Sequence, residues 1–390
     1  MHKEDEHHAA HAFVRAPFSE EEKRSMNVEL QQLLDLYLQP TPVPADMTSR
    51  DIVCKAVEFD NPPRIPYSFV TPVASDFFEV AAVPKFIALV DSQSEVANVW
   101  VAEQNKERRN RGEKYYDEWG VGWEVTGRLW DHSFDHPLRD LRKLDSYQFP
   151  NVVAPEKFDV LRPYVTQARD AGKYVVGFDP ILLFERMRAL LGFEELMVAH
   201  YTQSDGLEAL LDRLADLEVA VVGEWARIEG VDAYMTWDDW GLQTSLQMSP
   251  EAFRKYYKPR YAKIVEAAHW QGMHYIWHNC GQIFDIIPDM IEIGVDVIQL
   301  DQPRLMGYDE LAGAFGGKIC FWNTLDIQWS TIENPTEDEV RAEVSRMVRA
   351  FNCFHGGFMA RQYPDVLDIE MPYERHLAIY EAFLANGCAL

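Results

Sequence analysis

From about residue 150 onward the chain alternates short apolar runs with amphipathic stretches. The runs lie at 173–178, 231–237, 273–278, 295–300, 318–323 and 356–360. Each is brief, β-rich and apolar on both faces, the pattern of strands covered on both sides. Between them come helical periodicities with recognisable ends. Ser249 stands before Pro250 as an N-cap, Ile283–Ile293 stops at Gly294, and Thr336 opens a capping sequence that runs through Phe351. Strand–helix repetition predicts parallel strands with right-handed crossovers. With Ile65–Val70 and one poorly defined strand before residue 150 the count is about eight, which predicts an α/β fold, a (β/α)8 TIM barrel.

Two segments fall outside the repeat. Residues 1–45 predict an extension that is partly helical: Ser19 caps a stretch with Met26, Leu30, Leu33, Leu34 and Tyr37 on one face, and the prolines after Gln39 end it. His2, His7, His8 and His11 in this extension read as a solvated tail. The barrel is then expected over 46–390. Residues 95–150, with Asp117, Trp119, Trp123, Trp130, His132 and His136, read as an inserted loop or hairpin over one mouth. A doubly wound sheet is the rival fold, but no glycine-rich phosphate loop follows the first strand.

Composition narrows the function. A net charge of −26 argues against nucleic acid as a partner. Five scattered cysteines do not form a disulfide framework. The start lacks a signal-peptide pattern, and no apolar run is long enough for a membrane span. A soluble cytoplasmic protein acting on a small molecule is expected, with a homodimer left open.

In such a barrel the chemistry sits where strands end. The run at 231 ends in Asp238, Asp239, Trp240, Gly241, Leu242 and Gln243, and that at 273 in His278, Asn279, Cys280 and Gly281. The next ends carry Asp301 and Arg304, then Asn323 and Asp326, then Arg361, Tyr363 and Asp365. His278 and Cys280 pair an imidazole with a thiol two residues apart, the ligand types zinc prefers. Asp239 and Asp326 could instead cap the helices that follow, and Arg304 could pair with a neighbouring carboxylate.

These strand ends resemble the uroporphyrinogen decarboxylase superfamily over roughly residues 48–388. The matching phrases are Ser49-Arg50, Pro62 to Pro66, Asp238 to Gly241 followed by Ser249-Pro250, Pro259 and Tyr261, and His278-x-Cys280-Gly281. Ile287-Pro288, Gly294 to Asp296, Asp326 and Gly356 to Phe358 continue the order. The arginine motif of the true decarboxylases, Phe-x-Arg-Gln-Ala-Gly-Arg, has no counterpart. His278 and Cys280 match the zinc pair of the branch containing methylcobamide:thiol methyltransferases and related demethylation enzymes.

That branch's distant cysteine is missing from Met359 to Asp365, and Cys353 and His355 stand too early. Asp238, Asp239 or Asp301 could supply the remaining ligand as an oxygen. The resemblance implies a zinc-dependent methyltransferase working with a corrinoid carried by a separate protein, since the chain has no Asp-x-His-x-x-Gly cobalamin loop. Asp238 or Asp239 would orient or deprotonate the substrate. Tyr234, Trp237, Trp240, Gln243, Asn279, Asp301, Arg304 and Arg361 would contact it. The alternative is a metal-free decarboxylase holding carboxylates with Arg64, Arg304 and Arg361. A barrel that binds a ligand without chemistry is the third reading.

Overall fold

The computed structural model describes residues 39–387 apart from 70–72, 82–85, 90–98, 103–111, 127–130, 179–181, 203–204, 364–368 and 370. The expected N-terminal helix, its histidines, Trp130 and Asp365 lie outside the described residues.

Eight strands form one parallel sheet: β1 (Tyr67–Ser68), β2 (Phe77–Ala81), β3 (Tyr174–Phe178), β4 (Ala233–Trp237), β5 (His274–Asn279), β6 (Val297–Leu300), β7 (Cys320–Thr324) and β8 (Phe358–Arg361). The sheet runs from β2 through β3 to β8 in sequence order and then to β1, with every ladder parallel. Tyr67 and Asp76 draw β1 and β2 together at their starts, through Asp76 N to Tyr67 O at 2.7 Å. The result is an α/β barrel, as the alternation predicts. The strand that the sequence left poorly defined is β2.

Pleating sorts each strand into two faces. Phe77, Tyr174, Val176, Ala233, Met235, Ile276, Val297, Cys320, Trp322 and Met359 form an inner cluster, whereas Val80, Tyr234, Tyr275, Ile298 and Phe321 pack outward with the helices. Phe77 of β2 stacks on Trp322 of β7 across the lumen, with centroids 4.6 Å apart.

Helix Ser49–Val57 closes one end. Thr48 and Asp51 form a capping box at its start. Val53, Ala56 and Val57 join the inner cluster. Its backbone meets residues that precede strands: Arg50 N binds Gly172 O (2.8 Å), and Gly357 N binds Ala56 O (2.7 Å). The helix therefore plugs the N-terminal end of the barrel.

The insertion leaves from the opposite, C-terminal end, directly after β2, and is more than the single loop or hairpin that the sequence suggests. A hairpin pairs Phe86–Leu89 with Val99–Ala102, and a three-stranded antiparallel sheet joins Lys114–Tyr116, Gly122–Glu124 and His132–Asp135. It packs on helix Phe184–Leu191, where the Arg186 guanidinium lies 4.4 Å from the centre of the Trp119 ring. Among the described residues no helix is long and apolar enough to cross a membrane.

Candidate metal centre

Two turns at the C-terminal end of the barrel build the site. The β4 strand ladder continues past Trp237, with Asp238 N bonded to His278 O at 3.2 Å. Trp240 N then donates to Asn279 Oδ1 at 3.1 Å, and Gln282 N to Leu242 O at 2.7 Å. Gly241 and Gly281 sit back to back. A Cβ on Gly281 would lie 2.4 Å from the Gly241 carbonyl carbon, and Gly281 also has φ +75°. Glycine is required on both counts. The sequence thus seals the turn carrying Asp239 against the turn carrying Cys280.

Three donors converge there. His278 Nε2 lies 3.6 Å from Cys280 Sγ and 3.5 Å from Asp239 Oδ1. One ligand atom from each of the three lies within 4.8 Å of the others. Tetrahedral zinc with bonds of about 2.0–2.3 Å sets nitrogen and sulfur about 3.6 Å apart, and nitrogen and oxygen about 3.4 Å apart. The donor set and its spacing fit that ion. Cys280 N also donates to Asp239 Oδ1 at 2.8 Å, fixing the carboxylate beside the thiol. Burial, then Asp239 and Asp301, push the Cys280 thiol well above its ordinary range. A thiol in that field stays protonated unless a cation stands beside it.

The rest of the sequence's candidates divide. Trp237 faces the lumen against Phe178 (4.7 Å between centroids), with the His278 ring 6.2 Å away. Tyr234 does not line the site: three residues before Trp237 on the same strand, it points outward and its hydroxyl donates to Glu218 at 3.4 Å. Trp240 is likewise buried in the outer core, between Phe184, Phe253 and Tyr257. Asn279 is buried and serves the Trp240 backbone. Gln243 is exposed on the turn.

Asp238 departs furthest from a catalytic role. It is fully buried and accepts from three backbone N–H groups, Leu183 (2.9 Å), Phe184 (2.8 Å) and Glu185 (2.7 Å), and from the Tyr261 hydroxyl. It caps a helix of another βα unit, so its acceptors are spent. Asp326 caps its own helix, accepting from Gln328 N (3.1 Å) and Trp329 N (2.9 Å).

The arginines are engaged as well. Arg361 holds Glu79 through both nitrogens (2.8 and 2.9 Å) inside the lumen, and Arg64 holds Asp76 (2.7 and 2.9 Å). Arg304 stands on Trp329 at the rim and pairs with Glu343 (3.2 Å) and Glu333 (3.7 Å). Asp301 is buried and faces Gln299, away from open solvent.

Sequence reading missed Glu185, in the first turn of the helix that Asp238 caps. Burial pushes its carboxyl up to about 8, with partial relief from Arg188 and a further push from Asp238 and Asp239. The folded state therefore binds a proton that the unfolded chain releases near 4.5. Its contribution to stability is present below about pH 4.5 and is lost as pH rises through about 8. Glu185→Gln is expected to flatten the fall of unfolding free energy between those pH values, measured by urea titration. An unchanged pH slope would refute the assignment.

The family model described as uroporphyrinogen decarboxylase (URO-D) matches residues 132–360, more than half of the chain. The barrel with polar strand ends is that fold, and the chain belongs to the uroporphyrinogen decarboxylase family. No curated protein matches the sequence. Among solved structures, a methyltransferase from Methanosarcina mazei is similar at TM-score 0.51 and 18% identity, over 68% of this chain and 75% of that one. Xylanase 10B from Thermotoga maritima reaches TM-score 0.36 at 14% identity, over 60% of this chain and 83% of that one. A D-psicose 3-epimerase reaches 0.37 at 10%, over 63% and 88%.

Proposed function

We propose that the chain is a zinc-dependent methyltransferase that moves a methyl group between a small molecule and a corrinoid on a separate protein. The observation that carries this reading is the convergence of His278 Nε2, Cys280 Sγ and Asp239 Oδ1 at the C-terminal end of the barrel. These three would hold the metal. Zinc bound by three protein ligands would keep a position for a substrate atom and supply the Lewis acidity that lowers the pKa of a coordinated thiol or hydroxyl, or stabilises the alkoxide left when a coordinated ether loses its methyl group.

The remaining work falls to the protein. Asp239 is part-exposed and can orient a substrate group while it keeps the Cys280 amide. Trp237 supplies an apolar wall next to the His278 ring. A carboxylate in place of the branch's second cysteine makes the donor set harder, which suits an oxygen acceptor better than a thiol-rich set does. The Methanosarcina mazei neighbour is itself a methyltransferase, which agrees with this reading of the family.

The metal-free decarboxylase reading has less support. It needs guanidinium groups available to substrate carboxylates, and Arg64, Arg304 and Arg361 are each committed to a protein carboxylate. Purified protein is expected to hold about one zinc per chain, as a three-ligand site does. Chelation should stop methyl exchange with methylcobalamin, and added zinc should restore it. Full methyl exchange by zinc-free protein would refute the proposal.

A further inference from the structure

Beside the three donors runs a second line of polar side chains along the lumen face. His278 pairs in register with Gln299 on β6. The His278 Nδ1 atom is in hydrogen-bond contact with Gln299 Oε1. Gln299 Nε2 in turn donates to Asp301 Oδ1 at 2.8 Å, and Gln299 and Asp301 are both buried. Thr324 Oγ1 lies 3.3 Å from the same carboxylate oxygen.

The order of donors and acceptors along this line is forced. A carboxylate only accepts, so Asp301 draws the NH2 end of the Gln299 amide. Turning the amide over would set its oxygen against the Asp301 oxygen and its NH2 against the imidazole. With the amide oxygen held toward His278, Nδ1 must carry the proton. In the neutral ring Nε2 then has the lone pair, and Nε2 is the atom that faces Cys280 and Asp239.

We infer that Gln299 is a positioning residue, locked by Asp301, that sets the tautomer of His278 and so aims Nε2 at the site. It touches no reacting group. It acts by removing the choice between two neutral imidazoles and by holding the ring plane, which is how partners behind metal-binding histidines raise affinity. Asp301, read from the sequence as a substrate contact, anchors that partner. The consequence for metal affinity rests on the zinc reading, whereas the tautomer itself does not.

The test therefore begins with metal-free protein. Two-bond 1H–15N correlation spectra distinguish the tautomers, and the His278 signal is the one missing from His278→Gln. Wild type is expected to show Nδ1–H. Gln299→Leu should show a mixture of tautomers and bind zinc about 10–100-fold more weakly by chelator competition. The double change Gln299→Glu with Asp301→Asn reverses the donor and acceptor between positions 299 and 301 but keeps an acceptor on Nδ1. It should retain Nδ1–H and near-wild-type zinc affinity, and it keeps the test open should the leucine variant fail to fold. An Nε2–H signal in wild type or in the double variant overturns the inference, as does wild-type zinc affinity in Gln299→Leu. Failure of wild type to bind zinc, with Nδ1–H intact, would count against the proposed function alone.

Discussion

Cys280→Ser is expected to lose both the bound metal and turnover, the rate falling by on the order of 10³-fold. Lewis-acid stabilisation is worth several kcal/mol, and each 1.36 kcal/mol is a factor of ten in rate. Serine keeps the size of the side chain and the backbone hydrogen bond from residue 280 to Asp239. What it removes is the polarisable sulfur that a cation converts to a thiolate. His278→Ala should give the same loss by removing the nitrogen donor. Metal content by atomic emission, measured beside the rate, is the decisive pair of readings. A variant that keeps its zinc and its rate would remove Cys280 from the site. The folded scaffold should survive, because Cys280 contributes no packing to either core cluster.

The second large effect is expected at the neighbouring residue, and on a different quantity. Asp238→Ala should lower unfolding free energy by several kcal/mol. Three N–H groups at the start of helix Phe184–Leu191, and the Tyr261 hydroxyl, would be buried without their acceptor. Each such group costs about 1–3 kcal/mol. That is a large share of the roughly 5–15 kcal/mol that holds a domain together. Chemical denaturation reads the loss directly. At temperatures where the variant is folded, its zinc affinity should stay near wild type. The opposite pattern, wild-type stability with lost turnover, would return Asp238 to a catalytic role.

The contrast between Asp238 and Asp239 shows where sequence reading stops. Strand ends were legible because a strand covered on both faces must be apolar, and polarity returns where it emerges from the barrel. That logic placed His278, Cys280 and the two aspartates at one end of the fold. It could not say which aspartate turns toward the lumen, because the chain leaves the pleat at Trp237 and the turn's geometry then decides. Parity alone did contain part of the answer. Tyr234 and Trp237 stand three apart on one strand and must face opposite sides, so they could not share a pocket.

Gln299 was hidden for another reason. Inside the run from Val295 to Leu300 it reads, like Asp296, as a polar interruption, and its meaning appears only when register sets it beside His278. The arginines were legible as residue types but not as free groups. Glu79, which occupies Arg361, lies 282 positions away in the chain.

The helix Ser49–Val57 turns the barrel into a cul-de-sac. With that floor in place, whatever visits His278 comes and goes by the side on which the insertion stands. A carrier protein and a small reactant would have to share one doorway, so on the proposed chemistry the small molecule goes in ahead and the carrier closes over it, the methyl passing straight from one to the other.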